Sequence, residues 1–146
     1  MTLRHFLVAS AIAVLVSGCG SGPARRITPS QVSVQQLVAD ASGAWKVTLR
    51  IQNYSTVTMR YAALHGTLHI AGADVGTIDL APPDLDIPPN SADVIDTTLH
   101  ASAKLPAGDI DYRISGTIET SEPKMDFKFD RSSRLSPAPG LPGTWR

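Results

Sequence analysis

The chain has 146 residues, with thirteen Lys plus Arg against thirteen Asp plus Glu and a formal net charge of zero. That length suits one domain, and the neutral balance excludes an electrostatic nucleic-acid binder, which needs a basic surplus on at least one face. A single Cys excludes an internal disulfide and a Cys-based zinc site, and eleven Pro with eleven Gly, well spread, exclude a collagen-like chain.

Arg4 and His5 precede a mostly apolar run from Phe6 to Val16. A short basic start followed by about eleven such residues has the proportions of a secretory signal peptide, whereas a spanning helix needs about 20. Residues 1–18 therefore read as a leader. The ending Val16-Ser17-Gly18-Cys19 resembles the lipobox of bacterial lipoproteins. The resemblance implies cleavage before Cys19, with Val16, Ser17 and Gly18 forming the cleavage motif. Cys19 then becomes the first mature residue and carries thioether-linked diacylglycerol plus an N-acyl group. Two or more acyl chains give stable anchoring at about 0.8 kcal/mol per buried CH₂. Acylation also removes a lone thiol that would be a liability in an oxidising periplasm. Gly20 follows where an Asp retains enterobacterial lipoproteins at the inner membrane, so a periplasm-facing position at the outer membrane is expected.

Residues 19–28 read as the acylated Cys and a flexible tether, holding the body roughly 15–20 Å from the bilayer. From Pro29 to Leu135 the hydrophobic period is two. Trp45 to Gln52 alternates apolar and polar over eight residues, the signature of a half-buried strand. Asp109 to Glu119 repeats the pattern, with Ile110, Tyr112, Ile114 and Ile118 on one face, and Met125 to Asp130 does so again. Weaker strands span Gln31–Val38, Met59–Ile70, Val75–Leu80 and Ala92–Ala101, separated by turn-forming residues. About seven strands without a credible helix predict an all-β antiparallel β-sandwich. Its expected core is Trp45, Val47, Leu49, Ile51, Leu68, Ile70, Ile78, Val94, Ile110, Tyr112, Ile114, Ile118, Phe127 and Phe129. Residues 136–146 hold three prolines and two glycines and read as a mobile tail. Leu141 and Trp145 in it form a docking motif, pack against the body or are simply disordered, the last two readings taking precedence.

Three segments carry a family resemblance: Leu49-Arg50-Ile51-Gln52-Asn53, then Leu64 to Gly72, then Ile87-Pro88-Pro89-Asn90-Ser91. Together they resemble the water-stress and hypersensitive-response domain, the type 2 late-embryogenesis-abundant (LEA) domain. Tyr54-Ser55 stands where that family usually has Pro-Asn. The resemblance implies a natively folded, immunoglobulin- or fibronectin-III-like sandwich, in agreement with the strand count, without catalysis and linked to desiccation and other stress. Asn53, at a strand end, suits a following turn whatever the family, since its side chain bonds nearby backbone. It reads as structural.

Chemistry-bearing residues are few. His65 and His69 stand four apart in a strand, about 13 Å along one face, and form an outward polar row with Thr67, not a zinc pair. Acidic residues concentrate at Asp74, Asp79, Asp84, Asp86, Asp93, Asp96, Asp109 and Asp111. Asp84-Leu85-Asp86 offers oxygen ligands for Ca²⁺ without forming a Ca²⁺-binding loop motif. The sequence lacks a Gly-x-Ser-x-Gly elbow and a Gly-x-x-x-x-Gly-Lys loop. The expectation is a non-catalytic envelope lipoprotein in stress tolerance, without cofactor, bound to the membrane through Cys19. The rival expectation is an adaptor recruiting an envelope protein or a lipid.

Overall fold

Alternating apolar and polar residues in most of the chain can bury one face only, so the strands must stack as two sheets with their apolar sides together. The computed structural model, which describes residues 22–81 and 85–146, has that arrangement. Among the described residues nine strands follow in order: β1 (Gln31–Ala39), β2 (Ala44–Gln52), β3 (Met59–Ile70), β4 (Ala73–Leu80), β5 (Leu85–Ile87), β6 (Ala92–His100), β7 (Ile110–Glu122), β8 (Lys124–Leu135) and β9 (Thr144–Trp145). One sheet has the order β6-β2-β1-β9; the other is β4-β3-β7-β8, with β5 pairing the start of β3. All pairings are antiparallel. Among the described residues no helix is long and apolar enough to cross a membrane.

Among the described residues the following connections lie at two opposite ends. One end carries the entering segment 24–30, the β2–β3 loop, the β5–β6 turn and the β7–β8 turn. The other carries the β1–β2 and β3–β4 turns, the β6–β7 loop and the C-terminal residues. We call these the near and far ends. The β3–β4 hairpin turns on Ala71 (φ 50°) and Gly72 (φ 79°), both in the left-handed region that a two-residue primed turn requires.

Between the sheets lies one core. Val32, Leu37, Val47, Leu49, Ile51, Met59, Tyr61, Leu68, Ile78, Ile87, Ile114 and Ile118 are fully buried. Each such aliphatic or aromatic side chain contributes roughly 1.5–3 kcal/mol by leaving water. Polar groups inside are matched across the gap. The Ser30 hydroxyl and Tyr61 phenol lie 2.6 Å apart, and the Tyr112 hydroxyl accepts the Val34 N–H at 3.2 Å. That second bond reaches β1 beside its irregularity between Val34 and Gln36.

Thirteen of the fourteen expected core residues are buried; Val94 is the exception, at 43% exposure. The adjacent Ile95 and the buried Leu99 face inward on β6 instead. β6 is an edge strand with neighbouring apolar residues Val94 and Ile95, so alternation there does not single out one face. The expected strands hold, with β7 and β8 running further than expected, to Glu122 and Leu135. β5 and β9 are additions.

Two expectations of mobility are corrected. In the tether, residues 24–28 are bound to the body: Thr56 Oγ donates to Ala24 O at 2.9 Å and accepts the Arg26 N–H at 2.8 Å. Ser55 Oγ accepts the Thr28 N–H at 3.0 Å. The tail folds back as well: β9 pairs with Leu37 and Val38 of β1, and Trp145 is 8% exposed. Its indole N–H donates to Gly108 O at 3.1 Å. Val16, Ser17, Gly18 and Cys19 lie outside the described residues, as does Asp84.

Candidate functional site

At the near end, β2 finishes on Asn53, whose side chain is fully buried. Its amide nitrogen donates to Val57 O at 2.9 Å, Ile87 O at 2.9 Å and Pro88 O at 3.0 Å. Its amide oxygen accepts the Ser55 N–H at 2.8 Å, and its own backbone N–H reaches Ser91 O at 2.9 Å. One side chain thus ties the end of β2, the following loop and the β5–β6 turn. Buried Ser55 continues the network to Thr28 and accepts the Asn90 N–H through its carbonyl at 3.2 Å. Asn90 itself holds φ 53°, a left-handed conformation that Asn tolerates better than most residues. The arrangement is a backbone clamp: every group in it is spent on main-chain partners.

The outer face of the β4-β3-β7-β8 sheet is a ladder of paired charges. His65 Nδ1 lies 2.8 Å from Asp79 and its Nε2 3.8 Å from Glu119. The Arg113 guanidinium donates to both oxygens of Asp130, at 2.9 and 2.5 Å, and Arg134 Nε donates to Asp111 at 2.9 Å. Hydrogen bonds from Arg113 hold the Asp130 carboxyl below its ordinary range, and Asp130 raises Arg113 in return. Towards the near end, Arg60 grips Asp86 at 2.8 and 3.1 Å and lies 3.3 Å from Glu122. Its hydrogen bonds likewise lower the Asp86 carboxyl. On the other sheet Asp96 is lowered first by the Thr48 hydroxyl and then by Lys46.

The described acidic residues among those that crowd the sequence between 74 and 111 are therefore dispersed. Asp79, Asp86, Asp96 and Asp111 each face a basic side chain, and Asp74 caps the Gly76 N–H at 3.1 Å. Asp86, one of the two carboxylates considered for Ca²⁺, is engaged by Arg60. His65 and His69 take their expected places in the outer row of β3, with His65 between two carboxylates. Among the described residues no group of three or more His, Cys, Asp or Glu is placed to hold a metal.

Two grooves, among others, mark the surface of the described residues. One, of about 730 Å³, runs beside the charge ladder and is lined by His69, Tyr112, Arg113, Ser132, Ser133 and Arg134. The other, of about 500 Å³, lies at the far end between the β6–β7 loop and the C-terminal segment. Leu105, Pro106, Leu141, Pro142 and Trp145 line it, and Leu141 is 48% exposed. Of the two tail residues singled out in the sequence, Trp145 is thus a packing residue and Leu141 the accessible one. The groove could not be foreseen, because its walls are more than thirty residues apart in the chain.

No protein-family model matches the chain, and no curated protein matches it. Solved structures do match in fold. The solution structure of an Arabidopsis thaliana protein aligns with a TM-score of 0.52 and 16% identity, covering 76% of this chain and 81% of that one. The X-ray structure of a structural-genomics target aligns at 0.51 with 18% identity, covering 80% and 92%. The solution structure of a candidate late embryogenesis abundant protein aligns at 0.47 with 10% identity, covering 78% and 74%. At these identities the likeness is one of fold, and it rests on the first two.

Proposed function

We propose that the chain is a non-catalytic envelope lipoprotein whose LEA type 2-like sandwich acts in desiccation and envelope stress tolerance, held at the membrane by acylated Cys19. The observation that carries this reading is the Asn53 clamp. Two of the three segments that suggested the family in the sequence, Leu49–Asn53 and Ile87–Ser91, are bound together by Asn53 through its side chain and its backbone N–H. A shared signature built from such residues preserves a scaffold and leaves activity to its surface.

The paired outer face supplies a mechanism. In water, exposed ion pairs are screened and each contributes little. As water is withdrawn the effective dielectric falls and every pair tightens. Such a surface holds its shape and satisfies its own charges while neighbouring proteins and lipids lose hydration. A deletion strain tests the reading through survival of drying and osmotic shock. Loss of tolerance, restored by the wild-type gene and not by Cys19→Ser, is the expected result. Survival equal to the parent strain refutes it.

The far-end groove favours a second reading, an adaptor that recruits an envelope protein or a lipid. Cross-linking in intact cells separates the two. A stoichiometric partner lost on Leu141→Asp supports the adaptor; recovery of none supports the stress role.

A further inference from the structure

We propose that the near end of the sandwich rests on the anionic headgroup surface of the bilayer that anchors the chain. This inference rests on acylation of Cys19 and adds to it an orientation and a contact surface.

The argument starts from covalent reach. If residues 20–28 were all free, the body would be at liberty to turn in any direction. Residues 24–28 are not free. Ala24 and Arg26 are bonded to Thr56, and Thr28 to Ser55, all at the near end. Only five residue steps separate Cys19 from Ala24, which span at most about 18 Å even when fully extended. Cys19 must sit at the acyl–headgroup boundary, so Ala24 lies within that distance of it. The far end is separated by the full length of the sandwich. β7 alone runs thirteen residues, roughly 40 Å.

The chemistry of the near end suits that position. Arg25 and Arg26 are exposed, and Lys124 is exposed on the adjoining start of β8. Arg25 lines a groove with Val57, Thr58, Ser121, Glu122 and Pro123, so the entering segment and the β7–β8 turn form one surface. Of the described acidic groups towards this end, Asp86 and Glu122 face Arg60, while Asp93 and Asp126 are exposed slightly further in, opposite Ile51 and Glu119. Each Lys or Arg close to an anionic leaflet contributes about 1 kcal/mol. Tyr54, at 43% exposure, and Met125, at 37%, are two of the large apolar or aromatic side chains left open to solvent, and both belong to this end. An amphipathic ring at headgroup depth is a stable placement.

Depth-dependent quenching tests the proposal. The mature protein would be purified from membranes and placed in vesicles of phosphatidylethanolamine and phosphatidylglycerol. Single introduced cysteines at Thr58 or Pro89 (near end) and at Leu141 (far end) would carry an environment-sensitive dye, with a headgroup-labelled quenching lipid in the vesicles. Dyes at Thr58 and Pro89 are expected to lose most of their emission, and the dye at Leu141 none. The mass of the N-terminal peptide reports acylation separately. An unmodified Cys19 refutes the anchor and the orientation with it. An acylated Cys19 with equal quenching at both ends, or none at the near end, overturns the orientation alone.

Discussion

Asn53 does the work of several residues because an amide is both donor and acceptor. Its nitrogen faces three carbonyls and its oxygen one N–H, with no access to water. Asn53→Ala leaves those groups buried without a partner, and the expected loss is about 2–4 kcal/mol, measured by urea unfolding. Asn53→Asp is expected to cost at least as much, because a carboxylate presents acceptors to three acceptors. The exposed carboxylates set the acid response. Asp130, Asp86 and Asp96 are held below the ordinary aspartate range by the groups that bond them, and Asp40, in the β1–β2 turn, by hydrogen bonds from Ser42. A lowered folded pKa gives stability that is complete above the unfolded value and lost as pH falls through the folded one. The melting temperature should therefore be level from neutrality to about pH 5 and fall below about pH 4. In Asp130→Asn the decline should be shallower, which a series of thermal melts against pH would show. At this scale the sequence was partly legible. An Asn after an alternating strand signals a turn, and its structural role was readable, but its bonds to Ile87 and Pro88, more than thirty positions on, were not.

Strands β3 and β7 meet at two glycines, Gly66 opposite Gly116, and Gly116 is in turn opposite Phe129 of β8. The Phe129 ring crosses this bare stretch of backbone. A Cβ on Gly66 would lie 3.2 Å from the ring and 2.9 Å from Ser115 O. A Cβ on Gly116 would collide with His65 O and lie 2.6 Å from the Gly66 Cα. Those neighbours are main chain and cannot swing aside. Gly116→Ala should separate the two central strands of the sheet and cost about 2–3 kcal/mol, with chemical denaturation as the measure. Element positions were the most legible part of the fold. Strands β2, β3 and β7 lie between two neighbours with one face in the core, so burial imposes a period of two along them. That constraint weakens at the edge, where Val94 and Ile95 of β6 sit side by side and only the inner partner distinguishes them. β5 is three residues long, too short for any period to register.

For the molecule as a whole, the segments outside the main strands behave as parts of the body. Residues 136–146 read as a mobile tail because Pro and Gly report local backbone freedom alone; what fixes them is the pairing of β9 with β1, about a hundred positions back, together with the Trp145 indole reaching Gly108, 37 positions away. Trp145→Ala should cost about 3 kcal/mol in unfolding free energy and raise proteolysis between Ser136 and Arg146. Unchanged cleavage there would show that the ring does not hold the segment. The capture of residues 24–28 escaped the sequence for a similar reason, since Ser55 and Thr56 are unremarkable until folding brings them alongside. That capture sets the path of mechanical load. A pull on the chain ahead of Ala24 first meets the bonds to Thr56 and Ser55, which give way singly and lengthen the leash. Any further tension runs along the axis of β1, whose rungs to β2 extend from Gln31–Gln52 to Ala39–Trp45. Force in that direction shears the rungs together instead of peeling them one after another, so the protein yields easily at its entrance and stiffly beyond it.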